Sequence, residues 1–352
     1  MGDCKLSNMI LHYLIFLSSY LLMYFDPEVL PMFLNFSIQA RVLCGKIVRK
    51  TMGKNIRDKI LFFKKKRQAV ILAHNYQQPE VQDIADFVGD SLGLSQQALK
   101  TKAKMIVFCG VYFMAETAKI LNPDKTVIMP DKTALCPMAS MIDQKKLIAL
   151  KKAHPKAKVV CYINTTAETK AESDICCTSA NAQKVVNSLS SQEIIFIPDQ
   201  HFGQWVAQKS RKKFIFFRGF CPTHLRIHPG LIENLKKDHP QALVLCHPEC
   251  NKEVKALSHY VLGTGQMLKF AKESSQEEFI IATENGMIYR LQKDCPQKKF
   301  YQASPLAFCP NMKKTTLTKI LEALITPQNY EINVAKKIAE KARKAINKML
   351  KL

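Results

Sequence analysis

Apolar, β-branched runs alternate along this chain with stretches of helical spacing, and the alternation repeats. AVILAHNY (69–76), KVVCYINT (158–165) and ALVLCHPE (242–249) each read as a buried strand that ends in polar residues. A small or hydroxyl residue then opens a helix in GDSLGLSQQALK (89–100), CTSANAQKVV (177–186) and LGTGQMLKFAK (262–272). Another strand follows in MIVFCG (105–110), EIIFIPDQ (193–200) and FIIATENG (279–286). A strand or loop ending in Cys-Pro closes each set: TVIMPDKTALCP (126–137), KFIFFRGFCP (213–222) and KKFYQASPLAFCP (298–310). Matching positions lie 85–89 residues apart, in the same order each time. The pattern predicts an α/β fold of three pseudo-symmetric β-α-β-α-β subdomains, with parallel sheets covered by helices around a pseudo-threefold axis. A single doubly wound domain without triplication is the weaker reading.

The expected divisions are 52–141, 142–228 and 229–310 for the subdomains, then a basic helical tail over 311–352. Residues 1–51 form an apolar and basic extension. Within it Met9 to Phe25 has seventeen residues, a borderline length for a membrane span. It lacks the flanks of a signal peptide. The favoured reading starts translation at Met52; a membrane contact by residues 9–25 is the lesser one.

Composition changes this picture little. The chain has 352 residues, 47% hydrophobic and 23% charged, which excludes a disordered chain. The net charge is +23, and +15 of it lies in residues 1–68 and 311–352. With no zinc-finger, basic-zipper or RNP-type pattern, this argues against specific nucleic-acid recognition. A basic interior suits small anions.

The twelve cysteines matter more. Several sit inside apolar strands, as free thiols do, so a reducing cytoplasm is the expected compartment. No CxxC occurs, so any metal must draw its ligands from distant segments. Cys136, Cys221 and Cys309 fall on the repeat and each precedes a proline; Cys295 also precedes one but falls off the period. Strand ends of α/β units face the ligand side, so these three would converge. They are then zinc ligands with a water, ligands of a four-iron cluster with one open iron, or three buried thiols. His74 and His247 end matching strands, and His224 lies three residues past Cys221. Tyr76 and Glu249 each stand two residues beyond one of those strand-end histidines and are candidates for proton transfer. Ser91, Ser179 and Thr264 open helices, as N-caps or as anion-binding starts.

At these residues the sequence resembles the quinolinate synthase (NadA) family. The matching segments are AHNYQQPEVQDIADFVGDSLGLSQQA (73–98), FMAETAKILNP (113–123), YINTTAETKAESDICCTSANA (162–182), CPTH (221–224), HPE (247–249), GTGQM (263–267), ATENGMIYRL (282–291) and CPNMKKTTL (309–317). The resemblance spans about residues 65 to 325. It implies one 4Fe-4S cluster per chain on Cys136, Cys221 and Cys309, with an open iron acting as a Lewis acid. It implies condensation of iminoaspartate with dihydroxyacetone phosphate to quinolinate for NAD biosynthesis, with L-aspartate oxidase as the functional partner.

Carried over by position, Tyr76, His74 and Glu249 would be catalytic. His247 and Ser179 would hold carboxylates, Ser91 phosphate or carboxylate, and Thr264 a carboxylate. Tyr162 and Asn164 would line the pocket. Two positions depart from the family: Gly263 stands where serine is common, and Tyr112 where histidine is frequent. The diphthamide radical enzymes share the three-cysteine triplicated plan, but they lack the HNYQ and HPE segments found here. A non-enzymatic anion-binding protein and a basic nucleic-acid binder are the remaining alternatives.

Overall fold

The computed structural model describes residues 55–352. The proposed span 9–25 and the proposed start at Met52 lie outside the described residues. Among the described residues no helix is long and apolar enough to cross a membrane.

The first repeat runs β1 (Ala69–His74), α1 (Pro79–Ile84), β2 (Phe87–Gly89), α2 (Ser91–Lys100), β3 (Met105–Cys109), α3 (Tyr112–Leu121) and β4 (Thr126–Ile128). Helices α4 (Pro137–Met141) and α5 (Gln144–Ala153) lead to the second. It runs β5 (Lys158–Tyr162), α6 (Ala167–Ala171), β6 (Ile175–Cys177), α7 (Ala182–Ser188), β7 (Glu193–Ile197), α8 (Gln200–Ala207) and β8 (Lys213–Phe216). After α9 (Pro229–Asp238) comes the third: β9 (Leu243–Cys246), α10 (Lys252–Leu257), β10 (Tyr260–Val261), α11 (Thr264–Glu273), β11 (Glu278–Ala282), α12 (Gly286–Asp294) and β12 (Lys299–Gln302). Helices α13 (Leu317–Ile325) and α14 (Lys336–Leu350) end the chain.

Three four-stranded parallel sheets result, with orders β2-β1-β3-β4, β6-β5-β7-β8 and β10-β9-β11-β12. The triplicated α/β architecture is as the repeat spacing predicts, and each sheet adds one short edge strand. That strand is too short to carry a period. Hydrogen bonding at its entry defines it instead. Asp86 takes the Ile71 N–H on its carboxylate at 2.8 Å and returns its own N–H to Ile71 O at 2.9 Å. Asp174 does the same at Val159, and the His259 ring does so at Val244.

The central strands are buried on both faces, which explains their unbroken apolar runs: Ile71, Leu72, Val159, Val160, Val244 and Leu245 have no exposed surface. The C-terminal segment covers an edge. Met129 N–H donates to Tyr330 O at 3.0 Å, and Ile332 N–H to Val127 O at 2.9 Å, beside β4. Helix α14 then packs on α6, β6 and α3 through Ala342, Ala345, Ile346 and Met349. Its lysines sit on the opposite, exposed side.

Candidate active site

Register places the repeats on a common frame. Ala73, Cys161 and Cys246 pair across to Cys109, Ile197 and Ala282. One residue later stand His74, Tyr162 and His247; three residues later stand Tyr76, Asn164 and Glu249. Sequence spacing aligns Asn75 with Asn164; the register moves the second repeat by one and sets Asn164 beside Tyr76 and Glu249 in role. Ser91 and Thr264 begin their helices as expected, but Ser179 does not: it lies in the turn before α7, which begins at Ala182 with Asn181 at its N-cap, because the Asn181 side chain folds back to accept the Thr178 N–H.

All twelve residues expected at the site line one cavity of about 160 Å3: His74, Tyr76, Ser91, Cys136, Tyr162, Asn164, Ser179, Cys221, His247, Glu249, Thr264 and Cys309. The two strand-end histidines are held alike. His74 Nδ1 accepts the N–H of Tyr76 at 3.2 Å, and His247 Nδ1 accepts that of Glu249 at 3.4 Å. That leaves Nε2 to carry the proton in the neutral ring. Burial lowers the pKa of each to about 3, so both are neutral donors.

A chain of short contacts crosses the cavity. Tyr76 Oη lies 2.6 Å from Thr283 Oγ1, which lies 2.9 Å from His224 Nε2. His224 Nδ1 is 2.8 Å from Glu249 Oε2, and Tyr162 Oη donates to Glu249 Oε1 at 2.6 Å. Burial alone would raise the Glu249 pKa. The imidazoles of His224 and His247, with the hydrogen bonds from His224 and Tyr162, outweigh it and hold the carboxyl below its usual range. Burial and the Glu249 charge push both phenols, Tyr76 and Tyr162, well up.

Thr283 is the member that sequence reasoning missed, and His224 was seen only as a neighbour of Cys221. The pseudo-symmetry itself hid Thr283. Its register equivalents are Gly110 and Pro198, which carry no hydroxyl. The visible signal was a polar Thr-Glu pair closing an apolar strand.

The three cysteines form a second feature of the same cavity. Each begins a Cys-Pro turn whose backbone N–H groups point at the sulfur. The N–H groups of Met138 and Ala139, of His224, and of Asn311 and Met312 each oppose in part the rise that burial imposes on the thiol pKa of Cys136, Cys221 and Cys309. Among the described cysteines only these three are part exposed; the other seven are buried. Burial pushes the Cys136 thiol up to about 12 and raises Cys221 and Cys309 as well. Three inward-facing sulfurs, N–H bonded yet reluctant to ionise alone, suit a cationic metal centre that holds them as thiolates. The donor set fits a cluster with one ligand from each repeat. Cys221, His224 and Glu249 also bring ligand atoms within 4.8 Å of one another, but His224 and Glu249 are already committed to the chain of contacts above.

The helix starts complete the lining. Asp90 caps α2 on the Gly93 N–H at 2.8 Å, while Gly263 offers α11 no side-chain cap. A Cβ on Gly263 would lie 2.7 Å from Ser179 Oγ. The missing side chain is what admits Ser179 to the start of α11. Tyr112 begins α3 and is absent from the cavity lining.

The family described as Quinolinate synthetase A protein (NadA) matches residues 58–351, beyond the 325 reached by motif resemblance. A quinolinate synthase of Dehalococcoides mccartyi (strain CBDB1) is 53% identical over 297 residues, covering 84% of this chain and 98% of that one. One from Geobacter metallireducens is 50% identical over 295 residues, covering 84% and 97%. One from Thermodesulfovibrio yellowstonii is 52% identical over 296 residues, covering 84% and 97%. By this match and these relatives, the chain belongs to the quinolinate synthetase A family of enzymes.

Proposed function

We propose that this chain condenses iminoaspartate with dihydroxyacetone phosphate to give quinolinate, releasing one phosphate and two waters. The observation that carries this reading is the opening of three Cys-Pro turns, one per repeat, into the cavity that holds the Tyr76–Thr283–His224–Glu249 chain. Cys136, Cys221 and Cys309 would hold a 4Fe-4S cluster, whose open iron supplies a Lewis acid for water loss. The divisions 52–141, 142–228 and 229–310 would then each contribute one ligand, with 311–352 bracing the first two. A cytoplasmic setting, supply of iminoaspartate by L-aspartate oxidase and entry of the product into NAD synthesis belong to the same reading.

The protein's own groups do the proton work. Ring closure needs tautomerisation, so one group must remove a carbon-bound proton and later return it. Tyr76 Oη takes that proton as its own passes to Thr283 Oγ1. The threonine proton passes to His224 Nε2, and the His224 Nδ1 proton passes to Glu249 Oε2. The high phenol pKa keeps tyrosinate from persisting, so the proton returns to Tyr76 once it has served. Tyr162 fixes the other carboxylate oxygen. His74 and His247 donate from Nε2 to substrate carboxylates. Ser91 and Thr264 add hydroxyl and helix-start donors for phosphate and carboxylate, and Ser179 adds a hydroxyl from the turn before α7. Asn164 Oδ1 is buried without a protein partner, which leaves it for the substrate.

Strictly anaerobic purification with iron and sulfide analysis tests the reading. About four of each per chain, with quinolinate formed from the two substrates, is the expected result. Cys136→Ala, Cys221→Ala and Cys309→Ala should each lose the cluster, and Cys295→Ala should keep it. Zinc in place of iron, or a colourless protein after reconstitution, would overturn the proposal.

A further inference from the structure

Two charged residues beside this site have no part in the proton chain. Glu284 follows Thr283 directly, and its side chain has no exposed surface. Its Oε1 accepts the Cys309 N–H at 3.0 Å and its Oε2 the Gly286 N–H at 2.7 Å. Lys313 Nζ lies 2.9 Å from Oε1 and 3.0 Å from Oε2. The same ammonium donates to the carbonyl oxygen of Tyr76. One ion pair therefore joins a cysteine loop of the third repeat to the strand end of the first.

The surroundings are built for that knot. A Cβ on Gly286 would lie 2.7 Å from Lys313 Nζ and 2.7 Å from Tyr76 O, so only glycine admits both. Gln82 Nε2 braces it from behind by donating to Asn75 O, Gln77 O and Gly286 O. Gln78 Nε2 ties down Lys313 O and Thr315 O at 3.0 Å each. The loop is anchored at its ends, where Ala307, Met312 and Thr315 are buried, while Phe308 and Pro310 beside Cys309 are exposed.

We propose that Glu284 and Lys313 are positioning residues that set the Cys309 sulfur and the Tyr76 phenol relative to each other. Both oxygens of Glu284 are spent on two backbone N–H groups and one ammonium, and none is left to face the substrate. The pair transmits position only. Pulling the Tyr76 carbonyl toward Lys313 fixes the segment that carries Tyr76 Oη to Thr283. Holding the Cys309 N–H fixes the turn that aims its sulfur. The inference rests on the reading of Cys309 as a cluster ligand and Tyr76 as the proton-transfer group.

The test uses the full chain, loaded with its cluster under anaerobic conditions. Lys313→Met, Glu284→Gln and Gly286→Ala break the knot in three different ways, and Lys341→Met on exposed α14 serves as the control for lost charge. Two readouts are taken on protein whose circular-dichroism melt confirms folding. One is the rate at which a chelator bleaches the visible cluster band; the other is kcat and KM for quinolinate formation. The expected result is about 10- to 100-fold faster bleaching and a similar loss of kcat, with KM little changed, in all three variants. Lys313→Arg should recover most of both, and Lys341→Met should match the parent. If the parent carries a cluster and turns over, and folded Gly286→Ala and Glu284→Gln match it in both readouts, the positioning role is wrong. A parent that takes up no cluster overturns the functional reading itself, and this inference with it.

Discussion

Glu249 carries its charge where water is nearly absent, and the cost of that burial is offset by named partners. His224 lies 2.8 Å from one carboxylate oxygen, and Tyr162 donates to the other at 2.6 Å. Such hydrogen bonds to a charged group are worth about 1.5–3 kcal/mol each. Glu249→Gln keeps the shape and removes the proton acceptor at the end of the chain. Tyr76→Phe removes its other end. Each should lower kcat by about 10²- to 10⁴-fold while the iron content stays at the parent value. Loss of iron along with activity would mean that these residues serve the fold rather than the reaction. Gly263 makes a subtler case. The open space at its Cα is filled by Ser179 Oγ. Gly263→Ala should displace that hydroxyl and raise KM several-fold with kcat nearly unchanged, as loss of binding alone does.

At the scale of elements, much of the plan was legible because it repeats. A lone apolar run such as KVVCYINT is ambiguous between a strand and a short buried helix. Three such runs at the same spacing are not, and they carried the sheets, the helix starts and the three cysteines with them. The edge strands were lost because Tyr260–Val261 is too short for a period and is defined by hydrogen bonding instead. Thr283 was lost because two of the three repeats carry no hydroxyl there.

The joint between the first two repeats was also invisible, since only packing reveals it. Glu116 of α3 is buried and accepts the Ala167 N–H of α6 at 3.2 Å. Burial raises its pKa from 4.5 to about 7, against the pull of Lys170. The folded state thus holds a proton that the unfolded state has lost between pH 4.5 and about 7. Stability from this group is full below that interval and falls as pH rises through it. Glu116→Gln keeps an acceptor and cannot titrate. Urea midpoints of parent minus variant should therefore decline from pH 5 to pH 7.5, while His74 and His247, which act in the opposite direction, cancel in the difference. A flat difference would mean that Glu116 is ionised in the fold.

The whole molecule is not one uniform core. A continuous apolar body joins the first two repeats and the inner face of the third, and α14 closes over it with Ala342, Ala345, Ile346 and Met349. The outer layer of the third repeat is a separate cluster, built from residues such as Ile227, Ile232, Val244, Val254 and Ile280. Burial free energy scales with apolar area, so the smaller cluster is the weaker cooperative unit. Yet the third repeat carries Glu249, Thr283 and Cys309, and so half of the proton chain and one sulfur. Side-chain bonds such as Tyr162–Glu249 and Tyr76–Thr283 tie this layer to the stronger body, and a cluster on Cys136, Cys221 and Cys309 would add a further tie. Native-state hydrogen exchange on the metal-free chain should show the amides of β9, α10 and β10 opening at a lower free energy than those of β1 and β5. Loading the cluster should raise the protection of the third repeat most, because ligand binding to the closed form adds its own free energy to that opening. If every slow amide converges on one opening energy with and without the cluster, the third repeat is not a separate unit.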